Sequence, residues 1–167
     1  FDLDPMPGTS FETVLDVARW LRDELDKVGA KGVPKTSGSN GLHVFVPIER
    51  TLALAAVREV SGLVGGHLVR RHPRLITMDW SIAKRTGKIF FDYTMNTRGK
   101  TLAAAFSPRG LPGAPVSMPL TWDALQTAQV RAESGRARLR RRGRWDSAGR
   151  RRRRRRRVAR RQRALRS

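Results

Sequence analysis

The 167-residue chain has no cysteine, a single tyrosine, and only 14 acidic residues against 35 Lys and Arg. Without thiols, neither a disulfide scaffold nor a cysteine-ligated zinc site can form. No apolar run approaches the roughly 18 residues needed to span a bilayer. The opening Phe1-Asp2-Leu3-Asp4 also lacks the charged-then-apolar order of a signal peptide. A soluble, cytoplasmic protein is therefore expected, and the length suits one domain rather than two. Because the chain opens on Phe1 rather than Met, it reads as beginning partway through a larger polypeptide.

The scarcity of acid is concentrated at one end. Residues 1–130 hold 16 basic and 12 acidic side chains, whereas residues 131–167 hold 19 Arg, no Lys, and only Glu133 and Asp146. Hydrophobic periodicity stops at Arg131, and Arg151 to Arg157 is an unbroken arginine run that cannot build a core. The domain division expected is 1–126 for a folded unit and 127–167 for an arginine-rich tail. Two readings of the tail stand side by side. One is a disordered arm that neutralises phosphates without reading sequence. The other is a GC-rich gene read out of frame, which yields Arg without Lys and Ala and Gly as fillers.

Within the body, Phe11, Val14, Leu15, Ala18, Leu21, Leu25 and Val28 recur at three- and four-residue steps. This spacing predicts an amphipathic helix over Ser10–Val28, capped by Thr9 with Glu12 and stopped at Gly29. Lys35 to Gly41 reads as a polar loop leading into a strand at Leu42–Ile48, with His43, Phe45 and Pro47 on one face. A second helix is expected from Thr51 to about His72, weakened by Gly62, Gly65 and Gly66 and closed by Pro73. A strand at Ile89–Met95 is expected to form a hairpin with Thr101–Phe106 through the turn Asn96-Thr97-Arg98-Gly99. Pro108 to Pro119 should run irregularly over the surface. Strands interleaved with two helices predict an α/β or α+β layer fold with a small sheet.

Three features carry chemistry. Asp2 and Asp4, two residues apart on a strand, project to one face and can hold one or two hard divalent cations, although two acids at a solvated strand edge are also common. Ser37-Gly38-Ser39-Asn40-Gly41-Leu42-His43 has small residues that let backbone N–H groups approach an anion. No Gly-Lys-Ser/Thr follows, which excludes a Walker A loop. Asp92 lies among Ile89, Phe90, Phe91 and Tyr93, where an ionised carboxylate needs a partner, a metal or an exposed strand end. Together, an Asp-x-Asp on one strand and a third Asp on another form the arrangement that two-metal nucleotidyl transfer requires.

These residues occur within five ordered motifs: Phe1-Asp2-Leu3-Asp4-Pro5, Pro34 to Pro47, Ile89 to Tyr93, Phe106-Ser107-Pro108-Arg109, and Pro119 to Leu125. Over roughly residues 1–126 the chain resembles the polymerase domain of bacterial ATP-dependent DNA ligase D, in the archaeo-eukaryotic primase superfamily. The resemblance implies an α+β primase-like catalytic core, here incomplete, with the arginine tail disordered. It implies a primase-polymerase that adds ribonucleotides or deoxyribonucleotides to DNA 3′ ends during non-homologous end joining in double-strand break repair, using two Mn2+ or Mg2+ ions. By the same resemblance Asp2, Asp4 and Asp92 are the metal ligands and catalytic carboxylates, and Ser37, His43, Lys100 and Arg109 bind the nucleotide. Implied partners are NTP or dNTP, DNA ends with a 5′-phosphate, the end-binding protein Ku and a ligase domain, in a bacterial, nucleoid-associated setting. Asn40 stands where Lys or Arg is expected, and Met95 where Gln is usual. The long N-terminal portion that the family carries before Asp-x-Asp is absent, as is the last part of the domain after Trp122. The alternative function is an inactive truncated fragment that binds nucleic acid non-specifically through its arginine tail.

Overall fold

The structure is a computed structural model that describes residues 1–127. The expected arginine-rich tail lies outside the described residues. The architecture is α+β: one mixed five-stranded sheet with helices packed against it. The strands are β1 (Asp2–Pro5), β2 (Val33–Thr36), β3 (Leu42–Phe45), β4 (Ile76–Thr77) and β5 (Ile89–Asp92), and the helices are α1 (Phe11–Lys27), α2 (Leu54–Arg71) and α3 (Trp122–Thr127). Strand order is β2-β3-β1-β5-β4, with all pairs antiparallel except the parallel edge pair β4–β5.

Helix α1 forms where the apolar spacing places it and buries Val14, Leu15, Val17, Ala18, Leu21 and Leu25. Two details differ from expectation. The N-cap is Ser10, whose hydroxyl accepts from the Thr13 N–H at 3.2 Å, while the Thr9 hydroxyl donates to the Lys88 carbonyl. Val28 is 78% exposed because it follows the last helical turn and leaves the buried stripe. Gly29 does stop the helix: at φ +73° it adopts a left-handed conformation, and the Gly29 and Ala30 N–H groups close back on the Asp26 and Leu25 carbonyls.

Strand pairing sorts the sheet into alternating rows. Leu42, Leu3 and Phe91 are cross-strand neighbours and join the α1 residues in the core. One residue away, on the opposite face, runs the row Lys35–His43–Asp2–Asp92, contributed by β2, β3, β1 and β5.

Several expected elements are shorter or absent for identifiable reasons. The strand at Leu42 ends at Phe45, and α2 starts at Leu54, three residues after Thr51. The strand at Ile89 ends at Asp92 because the Asp92 carboxylate accepts from the Thr94 N–H (2.8 Å) and hydroxyl (2.6 Å), turning the chain. The expected hairpin between β5 and Thr101–Phe106 does not form. β5 is paired with β1 along one edge and with β4 at Ile89 and Phe90 on the other, and the Asp92–Thr94 turn ends the strand before the segment leading to Thr101–Phe106. Two short strands, β2 and β4, were not legible in the sequence, and β2 places Lys35 and Thr36 in the sheet rather than in a loop.

The glycines of α2 are packing devices more than weaknesses. A Cβ on Gly65 would lie 2.8 Å from two Phe91 ring carbons and 2.9 Å from Met78 Sδ, and one on Gly62 would lie 3.1 Å from the Tyr93 ring. A Cβ on Gly66 meets nothing nearer than Arg70 Nη1 at 3.5 Å. Adjacent substitutions should therefore have opposite signs. Gly65→Ala should destabilise by about 1–3 kcal/mol through overpacking, and Gly66→Ala should stabilise by about 0.5–1 kcal/mol through helix propensity. Urea unfolding of the two variants checks this, and equal effects would contradict the packing assigned to Gly65.

Candidate active site

The polar row is buried throughout: Lys35, His43, Asp2 and Asp92 are each at most 9% exposed. Asp2 stands at its centre on β1, directly opposite Asp92 on one side and His43 on the other. Asp4, two residues along β1, projects to the same face, beside the Ser37–Gly41 loop. There the absence of a side chain on Gly41 is required, because a Cβ would sit 2.7 Å from the Leu3 carbonyl and 3.0 Å from Asp4 Oδ1. The loop is held in shape by Ser37, whose Oγ accepts from the Ser39 and Gly41 N–H groups at 3.1 Å each. Gly38 takes the left-handed conformation at φ +73°, and a Cβ there would meet Arg109 Cγ at 2.7 Å and the Ser117 nitrogen at 2.9 Å. The loop thus presses on β1 at one end and on the Arg109 stem at the other.

Between these elements lies a cleft of about 340 Å³. Its walls include Asp2, Asp4, Ser37, His43 and Arg109, together with Gly41, Met95 and Thr101 to Ala103. Five of the seven residues singled out from the sequence therefore meet in one cavity. Asp92 joins them through its pairing with Asp2, not as a wall of the cleft. Lys100 is exposed and lies one residue outside the Thr101–Ala103 wall.

The electrostatics follow from crowding acids in a buried place. Burial, with repulsion from Asp4 and Asp92, pushes the Asp2 carboxyl up to about 7, and Lys35 opposes the rise. Asp4 is also raised, by burial first and Asp92 second, against an opposing Arg85. His43 is pushed down to about 4 by burial and by the positive charges of Lys35 and Arg109, so its imidazole is neutral near pH 7. His43 Nε2 approaches Asp2 Oδ1 to 3.3 Å without the alignment of a hydrogen bond. Asp2 Oδ1 is consequently buried without a hydrogen-bond partner, and so, at the other ring nitrogen, is His43 Nδ1.

An all-oxygen donor set with an orphaned, buried carboxylate oxygen fits a hard divalent cation. The set is not closed, however. Among the described residues no three His, Cys, Asp or Glu side chains converge as a ready metal cluster, and Asp92 directs Oδ1 to Thr94. No helix among the described residues is long and apolar enough to cross a membrane.

The family model of the LigD primase-polymerase domain matches residues 1–145. The chain belongs to the LigD primase-polymerase family. It is 35% identical over 128 residues to the multifunctional non-homologous end joining protein LigD of Pseudomonas aeruginosa, which covers 77% of this chain and 15% of that protein. It is 34% identical over 131 residues to the multifunctional non-homologous end joining DNA repair protein LigD of Mycobacterium tuberculosis, covering 78% and 17% respectively. The chain thus spans less than a fifth of the length of these two LigD relatives. Among solved structures, the polymerase domain of Mycobacterium tuberculosis ligase D in complex with DNA matches with a TM-score of 0.71 at 34% identity, covering 75% of this chain and 44% of that one. The α+β core of this chain is therefore a LigD polymerase-domain fold.

Sequence reasoning missed Lys35 as a member of the site's row and Thr101 to Ala103 as part of its wall. Val33-Pro34-Lys35-Thr36 offers no alternation that marks a strand, and Thr101–Ala103 reaches the cleft as irregular chain.

Proposed function

We propose that this cleft is a nucleotidyl-transfer site that adds nucleotides to DNA 3′ ends, as a module of end-joining repair. The observation that carries the reading is the in-register placement of Asp2 between Asp92 and His43, facing the Ser37–Gly41 loop and Arg109 across one cleft. Membership of the LigD primase-polymerase family supports it, as does the likeness to a polymerase domain solved with DNA.

In this reading Asp2, Asp4 and Asp92 would hold two Mn2+ or Mg2+ ions, and the chemistry such ions would supply is activation of the 3′ hydroxyl and neutralisation of the pyrophosphate. The chain's own groups do the rest. Arg109 offers a planar fork of donors to phosphate oxygens and stays charged throughout. Ser37 keeps the loop in shape and retains its own O–H as a donor, while the absence of side chains at 38 and 41 lets the loop pack closely on the Arg109 stem and on β1. Neutral His43 presents one N–H beside Asp2 without adding a second positive charge. Lys100 would act from the rim. The remaining partners, DNA 5′-phosphates, Ku and a ligase domain, belong to the longer LigD-type polypeptide.

The test is incubation of the chain with a labelled 3′-overhang duplex, NTP or dNTP, and MnCl2. The expected result is stepwise extension that EDTA abolishes. Retention of DNA with no incorporation would overturn the reading and favour a basic nucleic-acid binder acting through Arg131–167, whose affinity should then fall steeply with salt.

A further inference from the structure

Lys35 is 3% exposed, yet its ammonium meets no carboxylate within ion-pair distance among the described residues. It donates instead to three neutral oxygens: Ser117 Oγ, the Ala103 carbonyl at 3.0 Å and the Thr36 carbonyl at 3.2 Å. Ser117 is fully buried, and its hydroxyl in turn donates to the Thr36 carbonyl at 2.8 Å. A buried ammonium of this kind is costly unless its donors are all satisfied, and here the three donors match three acceptors.

The acceptors come from segments distant in sequence that build the cleft. Ala103 is part of its wall. Ser117 lies on the returning arm of an irregular ribbon in which Ser117 N–H donates to the Ser107 carbonyl and Arg109 N–H donates to the Pro115 carbonyl, at 3.0 and 2.9 Å. Arg109 rides on the outgoing arm of that ribbon. Its stem and the Ser117 backbone both close on Gly38, at separations no side chain would allow. Backbone bonds already join β2 to residues 118–120, and one ammonium adds the 101–103 wall and Ser117, on the ribbon bearing Arg109, to that unit.

We propose that Lys35 is a positioning residue for the triphosphate end of the site: through Ser117 and Ala103 it seats the ribbon so that Arg109 lies against the Ser37–Gly41 loop. The assignment rests on the nucleotidyl-transfer reading above. Lys35 itself does not touch substrate. Met118 and Leu120 stay bonded to β2 without it, through Thr36 N–H to the Met118 carbonyl and Leu120 N–H to the Pro34 carbonyl at 2.9 Å each, so its removal loosens the ribbon locally at Ser117 and Ala103; the guanidinium then has to be ordered at the moment of binding, which weakens nucleotide binding through Arg109 alone.

The test is a double-mutant cycle on the full chain, reading equilibrium binding of a fluorescent ATP analogue in the presence of Mn2+. Lys35→Met and Arg109→Ala should each weaken binding by about tenfold or more, and the double variant should be no weaker than the worse single within about threefold. Affinity for a DNA duplex should change little in Lys35→Met. Because Lys35→Met leaves buried acceptors unsatisfied and could fail to fold, Ser117→Ala provides a second variant that keeps the ammonium and its bonds to Ala103 and Thr36 while removing the ribbon's hydroxyl, which accepts from Lys35 and donates to the Thr36 carbonyl. It should weaken binding in the same direction and also lose its effect in the Arg109→Ala background. Multiplicative losses in the cycle, or unaltered nucleotide binding in folded Ser117→Ala and Lys35→Met, would overturn the positioning role. A wild-type chain that binds no nucleotide would instead overturn the nucleotidyl-transfer reading and the assignment with it.

Discussion

Replacing Asp2 with asparagine should abolish nucleotide incorporation while making the metal-free chain more stable above neutral pH. The two effects have one origin. Asp2 is buried opposite Asp92 and near Asp4, and its carboxyl is pushed up to about 7 by burial and by those neighbours. In the unfolded chain it ionises near the ordinary value of 3.8. Between these values the folded state holds a proton that the unfolded state has released, so stability falls as pH rises from about 4 to about 7. Above that range the buried charge costs on the order of a few kcal/mol. Asparagine removes the charge and recovers part of this cost. In the proposed nucleotidyl-transfer site it also replaces an anionic donor with a neutral amide, and loss of such electrostatic stabilisation lowers rates by about 100-fold or more. Single-nucleotide extension assays and urea unfolding at about pH 8 measure the two arms. A variant that retains incorporation, or is less stable than wild type there, would contradict the role given to Asp2. Asp92→Ala should likewise abolish incorporation and leave DNA binding largely in place, although it also releases the Thr94 turn.

Mn2+ should raise the thermal midpoint of the chain, and the rise should be larger at high pH than at low pH. A cation at Asp2 and Asp4 has to displace the protons that burial and mutual repulsion keep on them, both carboxyls being raised. Below about pH 6 that competition is strong. Above about pH 7.5 the Asp2 proton has left, and the cation meets uncompensated negative charge there. At a concentration one hundred times its dissociation constant, the ion contributes about 2.7 kcal/mol if it binds only the folded state. Thermal melts with and without MnCl2 across this pH range give the slope. A shift independent of pH, or one retained in Asp2→Asn, would place the ion elsewhere.

How much of this is legible in the sequence depends on the length scale of the interaction. Helix α1 follows from apolar residues at three- and four-residue steps, a pattern that reports its own buried face. Gly29 stops it by a backbone conformation that other residues take with strain. The carboxylates, the small-residue loop and Arg109 were recognisable as ordered motifs, and five of the seven named residues share a cavity. Lys100 is beside that cavity, exposed. The expected hairpin failed because local turn chemistry at Asn96–Gly99 says nothing of the Asp92–Thr94 turn that ends β5 or of the strands already paired with it. The glycines of α2 read as helix weaknesses because the ring of Phe91, distant in sequence, is what makes Gly65 necessary.

Sequence alone determined the chemical inventory of this chain: carboxylates at 2, 4 and 92, a loop rich in small residues at 37–41, a guanidinium at 109, and no thiol anywhere. It also determined that Asp2 and Asp4 share a face, since the two-residue period of a strand requires it. The tertiary structure decided that Asp2 sits between Asp92 and His43, that Lys35 is buried at the end of the same row, and that the Arg109 ribbon closes on Gly38. Those facts depend on strand register between segments tens of residues apart. Register is chosen by the simultaneous burial of Leu42, Leu3 and Phe91 on the other face of the sheet, a collective packing condition that no local pattern encodes.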